Sequence, residues 1–356
     1  MNQQRLQKVL DNMKQAGLHQ LLVTETEPVY YLTGIWVSPM ERMMALYIRE
    51  DGKVTFFGNK LFAIAPQEGL EMVEHTDSDD PVAQLAAAVL PGELGIDETW
   101  PSRFLIGLMS HRPDVKPVLG SEPVAQATMC KDEEERELMR AASRIDDACI
   151  DMAIHAIREG ITEKELSSKV EHFFQEKGCD HLGFSIVAMG ANGADPHHGT
   201  DGTVLKEGDS IVMDIGAPFN HYWCDMTRTV FYKSASEEQR TVYETVRRAN
   251  EAAIAVVKPG VAFKEIDLAA RKVIEDAGYG EYFTHRLGHF IGMEDHEQPP
   301  VSSECEVIAK PGMIFSIEPG IYLPGKFGVR VEDLVLVTED GCEVLNKYPK
   351  DLIVVE

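Results

Sequence analysis

The six cysteines of this chain, Cys130, Cys149, Cys179, Cys224, Cys305 and Cys342, are scattered, and no two stand in a CxxC spacing. A disulfide framework is usually denser and belongs to a shorter chain, so reduced and mostly buried thiols are expected. Cys224, beside Asp225, is expected on a strand and turned away from any site. Basic residues are also scarce: 34 Lys+Arg against 59 Asp+Glu leave a net charge of -25. That deficit argues against nucleic-acid partners, which require a basic surface. It discourages anionic membranes for the same reason. Long apolar runs are missing too. The first residues, MNQQRLQKVLDNMKQAG, interleave charged and apolar side chains without an uninterrupted hydrophobic core. Neither a signal peptide nor a membrane span is expected, and the cytoplasm is the default location.

What remains is ordinary globular material, 44% hydrophobic and 26% charged over 356 residues, enough for two domains with separate cores. Leu6, Val9, Leu10 and Met13 recur at helical spacing, and Gly17 marks the stop. Strand-like runs follow at 21–24, 43–48 and 54–57, the last two joined by Asp51-Gly52, a hairpin signal. Asp80-Pro81 opens another helix, and residues 93–96 and 101–111 read as a strand and a helix. A small α/β domain is expected over residues 1–125, with a second domain over 126–356. The second opens on a long amphipathic helix with acids at its positive end. Thr162 with Glu165, and Ser236 with Gln239, read as capping boxes of later helices. Two helices followed by strands occur twice, which suggests a duplicated α+β half-domain.

Five residues in that second domain share an unusual setting. Asp214, Asp225, His289, Glu318 and Glu332 lie in IVMDIGA, YWCDMTRTV, HRLGHFIG, MIFSIEPGIY and VRVEDLVLV. A carboxylate amid Ile, Val, Met and Phe is costly unless its charge is compensated. Four carboxylates in one low-dielectric pocket would repel one another unless cations held them. If Pro218-Phe219-Asn220-His221 is a hairpin loop, Asp214 faces Asp225, close enough to bridge or straddle an ion pair about 3.5–4 Å apart. Glu318 and Glu332 are expected to repeat the pattern, with PGIYLPGKFG as the turn. Such an oxygen-rich set suits two divalent ions, Mn²⁺ foremost, with Co²⁺, Fe²⁺ or Zn²⁺ as alternatives.

The segments DIGAPFNHYWCDMTRT, HRLGHFIGMEDHEQP, FSIEPGIY and VRVEDLVLV closely resemble the pita-bread metallopeptidases. That group includes prolidase, aminopeptidase P, methionine aminopeptidase and creatinase. The resemblance covers residues 131–356, and the YYLTG and ERMMAL segments extend it to short bacterial prolidases. It implies a creatinase/prolidase-type N-terminal domain, a pita-bread catalytic domain, and commonly a homodimer. It makes the five residues ligands of two metals, with Asp225 and Glu332 as bridges. It also marks His197, with His198 as competitor by a one-residue slip, together with His296 and Arg330. His285 is a candidate pocket residue. Trp36, Met40 and Arg42 lie in a loop that covers the partner's active site in related dipeptidases.

The implied reaction is hydrolysis of Xaa-Pro dipeptides. Two cations acidify a shared water and polarise the scissile carbonyl, Glu318 takes the proton, and the two histidines serve the oxyanion. Aminopeptidase P, acting on longer Xaa-Pro peptides, is the alternative, and a non-catalytic metal-binding homologue is a further one. Where some prolidases carry a carboxylate-reading arginine, this chain reads SSECEVIAKPG. Arg42, Arg286 and Arg330 are the candidates for that anchor.

Overall fold

A computed structural model describes all of Met1–Glu356, which divide into two compact units, Met1–Thr128 and Met129–Glu356. The helix Glu122–Met129 runs through the boundary expected at residue 125, and the division falls at its end. The first unit is built on a six-stranded mixed sheet. Its order across the sheet is Glu71–His75, Val54–Asn59, Ala45–Arg49, Gln20–Val23, Gly92–Ile96 and Val115–Leu119. Asp51-Gly52 does close the hairpin, with Ile48 paired to Val54 and Gly52 at φ 82°. Asp80 caps the helix Pro81–Ala88 by accepting from the Ala83 amide. The strand Glu71–His75 escaped the sequence reading because only His75 in it is buried.

In the second unit, two helices and then strands occur twice in order. Helices Glu133–Ala156 and Glu163–Glu176 precede strands Phe184–Met189, Ser210–Gly216 and Met226–Tyr232. Helices Glu237–Val256 and Phe263–Asp276 precede strands Gly288–Phe290, Ile314–Ile317 and Asp333–Val337. The two capping boxes at Thr162/Glu165 and Ser236/Gln239 are formed, and Asp132 with Glu135 makes a third. Each box satisfies amides that a helix start leaves without partners. Behind the second set of strands, Phe263 packs 4.9 Å from Phe290 and 4.8 Å from Phe315, centroid to centroid, inside a buried apolar cluster.

Both sets of strands contain an interrupted hairpin, and there the structure corrects the expected register. Strands Ser210–Gly216 and Met226–Tyr232 pair with Asp214 opposite Thr227, not opposite Asp225. The connecting turn is the dipeptide Asn220-His221, at φ 50° and 68°, rather than a four-residue loop. Two successive left-handed residues are what a two-residue hairpin turn requires. They slide the pairing by two positions, so Phe219 meets Tyr222. A slip of two preserves the face each side chain takes, since strands alternate with period two. Asp225 still lies on the face of Asp214, in the gap between two short ladders. Cys224 sits in the same gap rather than on a strand, buried, with its thiol donating to the Ala217 carbonyl at 3.2 Å.

The second hairpin, like the first, keeps one register across its interruption. Ile317 pairs with Asp333 and Gly320 with Arg330, so the same register places Glu318 opposite Glu332 in the interruption. The segment expected as its turn is itself a small hairpin, Gly320–Leu323 against Phe327–Arg330.

Candidate metal centre

Backbone and side-chain hydrogen bonds stitch the two interrupted hairpins together. The Glu332 amide donates to the Thr227 carbonyl at 3.1 Å, and Thr229 Oγ1 exchanges hydrogen bonds with the Arg330 backbone at 2.9 and 3.1 Å. Arg228 is fully buried, donating to the Glu332 carbonyl and, at 2.7 Å, to Asp333 Oδ1. Lys350 takes the other Asp333 oxygen at 2.7 Å. Burial alone would raise the Asp333 carboxyl, but these two cations hold it below its ordinary value.

A cavity of about 290 Å³ opens where the interruptions meet, and Asp214, Asp225, His289, Glu318 and Glu332 all line it. His197, His285, Arg286, His296 and Arg330 share its wall. His289 Nδ1 faces the Phe290 carbonyl at 3.0 Å, an acceptor, so that nitrogen carries the proton. Nε2 then points to Asp225 Oδ2 at 3.4 Å and Glu318 Oε1 at 3.6 Å. Those separations exceed a good hydrogen bond and match donor atoms about 2.0–2.2 Å from a shared ion. The backbone beneath is tightly set. A Cβ on Gly288 would fall 2.1 Å from the Ser316 carbonyl oxygen, and Ser316 Oγ receives the His289 amide at 3.0 Å.

Arg330 is fully buried and braces the centre. Its Nη2 donates to Asp214 Oδ2 at 2.6 Å, Nε to Thr227 Oγ1 at 3.0 Å, and Nη1 to Tyr322 Oη at 2.8 Å. The Thr227 hydroxyl donates to Glu332 Oε2 at 2.7 Å. Tyr322 in turn donates to His285 Nε2 at 2.9 Å, while His285 Nδ1–H donates to the Arg286 carbonyl at 2.7 Å. Burial pushes Tyr322 up to about 12 and lowers His285, so both stay neutral near pH 7. Thr227 and Tyr322 escaped the sequence reading, because only contacts across the fold assign them this bracing job.

One oxygen on each of three carboxylates is left over. Asp214 Oδ1, Asp225 Oδ1 and Glu332 Oε1 are buried without any hydrogen-bond donor. Burial, with the neighbouring acids, raises Asp225 to about 7 and Glu332 well above its ordinary value. Burial would lower His289, yet Asp225 and Glu318 raise it to about 9. A chain without cations therefore keeps protons where like charges crowd. Bare oxygens and crowded acids fit a divalent ion, because it supplies the missing charge and the missing partners together.

The remaining candidates separate clearly. His197 is on the cavity wall, whereas His198 turns away to Glu163 at 2.8 Å. The His296 ring lies 3.9 Å from the His289 ring, and its Nδ1 meets Arg286 Nη2 at 3.5 Å. A guanidinium only donates, so His296 carries its proton on Nε2. Arg42 is held in the first unit by both oxygens of Asp77 at 2.8 and 2.9 Å. Asp146, on the helix Glu133–Ala156, carries no local sequence signal that singles it out. It is fully buried with both oxygens unpartnered, and burial, then Asp225, pushes it well up.

A family model of metallopeptidase family M24 matches residues 137–339, and one of the creatinase/prolidase N-terminal domain matches residues 5–130. The chain belongs to metallopeptidase family M24. It is 36% identical, over 98% of its length and 99% of the relative's, to Bacillus subtilis YkvY, a protein provisionally named a dipeptidase. A dipeptidase structure from Pyrococcus horikoshii superposes with a TM-score of 0.94 at 34% identity, covering 98% of this chain and 99% of that one. A prolidase from Thermococcus sibiricus gives a TM-score of 0.93 at 34% identity, with 99% of each chain covered. The fold is therefore a creatinase/prolidase N-terminal domain followed by a pita-bread catalytic domain, and the M24 chain is a hydrolase of the metallopeptidase class. Its family implies divalent metal ions.

Proposed function

We propose that this M24 enzyme is an Xaa-Pro dipeptidase working with two divalent ions, Mn²⁺ first among them. The observation that carries the reading is the trio of donorless buried oxygens on Asp214, Asp225 and Glu332 beside His289 and Glu318, all facing one cavity. Asp225 and Glu332 would bridge the ions, with Asp214, His289 and Glu318 completing the set. Bound there, such ions supply Lewis acidity that activates water and polarises the scissile carbonyl.

The chain's own residues do the rest. Arg330 holds Asp214 by one oxygen and leaves the other for coordination. Glu318 accepts the proton from the attacking water. His296, lowered by burial, is neutral near pH 7 and offers Nε2–H to the developing oxyanion. His197 does the same from the facing loop. A cavity of about 290 Å³ is close to the lower bound of ligand pockets, which run roughly 300–1,000 Å³, a size that accords with a small peptide substrate.

Of the three candidate arginines for the carboxylate anchor, Arg42 is engaged by Asp77 and Arg330 by Asp214. Arg286, whose guanidinium meets only His296 on the cavity wall, has donors to spare. It would receive the substrate's terminal carboxylate, one residue length beyond the scissile carbonyl.

The test is a panel of Xaa-Pro, Xaa-Pro-Xaa and non-proline dipeptides on Mn²⁺-loaded enzyme and on Arg286→Ala. The expected result is preference for Xaa-Pro in wild type. Arg286→Ala should raise KM on the order of tenfold for Xaa-Pro and leave Xaa-Pro amides unaffected. Faster turnover of the longer peptides would replace this reading with aminopeptidase P. Light scattering on the same preparation checks the expected homodimer.

A further inference from the structure

Outside the metal centre, one carboxylate is more completely hydrogen-bonded than the mechanism requires. Glu163, the first helical residue after the Thr162 cap, is wholly buried. Its Oε1 accepts from the Met189 amide at 2.8 Å and from Asn192 Nδ2 at 2.9 Å. Its Oε2 accepts from His198 Nε2 at 2.8 Å and from the Asp201 amide at 3.0 Å. Met189 and Asp201 bracket the segment that carries His197 to the cavity, while Asn192 and His198 lie within it. The helix N-terminus beneath favours negative charge there.

Glu163, His198 and Asp201 also offer ligand atoms within 4.8 Å of one another, the spacing of a cation site. The four donors decide against that use. A carboxylate has about four lone-pair positions, and all are taken here by N–H groups. The group is a clasp across the ends of a loop.

We propose that Glu163 is a positioning residue for the reaction: it fixes the loop 190–200 so that His197 meets the oxyanion at hydrogen-bonding distance. Glutamine is the informative replacement. In either orientation its amide nitrogen would face a backbone N–H, that of Met189 or that of Asp201, setting donor against donor, and one end of the loop would let go. A catalytic group displaced by about an ångström costs up to 100-fold in rate.

The inference rests on the hydrolytic reading above, and the experiment keeps the two apart. Glu163→Gln is measured with an Xaa-Pro dipeptide, alone and combined with His197→Ala, alongside metal content and circular dichroism. The expected result is a kcat lower by about tenfold or more with KM changed by less than about threefold and the metal complement retained. In the His197→Ala background the same change should cost nothing further, since coupled residues do not add. His198→Gln, which keeps a donor toward Glu163, should retain kcat, and His198→Ala should lower it. If Glu163→Gln does not yield folded protein, His198→Ala in the two backgrounds carries the same decision. A Glu163→Gln kcat within twofold of wild type, or losses that multiply in the double variant, would overturn the clasp. A wild-type enzyme inert toward every Xaa-Pro peptide would instead overturn the function it serves.

Discussion

Asp225 and Glu332 show most plainly how residue chemistry fixes the site. Each is buried, and each keeps one oxygen with no donor. An amide in either place would turn N–H groups toward the proposed cations and remove one of the negative charges proposed to bridge them. Asp225→Asn or Glu332→Gln is therefore expected to lose at least one metal ion per chain and nearly all turnover. Metal analysis beside kcat decides it, and full occupancy with full activity would remove the bridging role. His296 differs in kind, because the role proposed for its proton is toward the substrate. His296→Ala should lower kcat on the order of 100-fold with metal content intact. An unchanged kcat would leave it as packing against His289. At this scale the sequence was informative for the five proposed ligands, since acids amid Ile, Val and Met need an explanation. It was silent about Thr227, Tyr322 and Glu163, because a Thr or Tyr on a strand and a Glu opening a helix are ordinary until their partners are known.

At the scale of elements, helices were easier to read than strand pairing. Caps at Thr162 and Ser236 are local chemistry and sit three residues from their partners. Register depends on which residues accept a left-handed backbone, and Asn220-His221 lacks the glycine that usually advertises a two-residue turn. The resulting slip by two moved Asp225 along the sheet without changing its face, so the error left the proposed ligand set intact. That turn makes its own prediction. Asn220→Gly should leave the melting temperature nearly unchanged, because glycine takes φ 50° without steric cost. His221→Val puts a β-branched residue at φ 68° and should destabilise by about 1–2 kcal/mol. Chemical denaturation of the two variants checks the pair, and equal stabilities would contradict the turn geometry.

For the whole molecule, the metal centre ties folding to pH. Without cations, Asp225 is raised to about 7, and His289 is raised to about 9 against the pull of burial. A carboxyl with a raised value in the folded state binds its proton more tightly there than in the unfolded chain. Its contribution to stability falls as pH climbs from about 4 toward 7. A histidine raised by acidic partners contributes fully below about 6.5 and loses that contribution as pH passes about 9. Both slopes have the same sign, so the metal-free protein should melt progressively earlier between about pH 5 and pH 9. Cations must displace these protons, which makes their affinity rise over the same range. The gain in melting temperature on adding Mn²⁺ should consequently be small near pH 5.5 and large near pH 8.5. Asp225→Asn, which removes one of the titrating groups, should flatten the lower part of the metal-free trend. Thermal melts of chelated and Mn²⁺-loaded protein across that range test the linkage. A gain independent of pH would mean that the crowded acids of this cavity do not hold protons in place of metal.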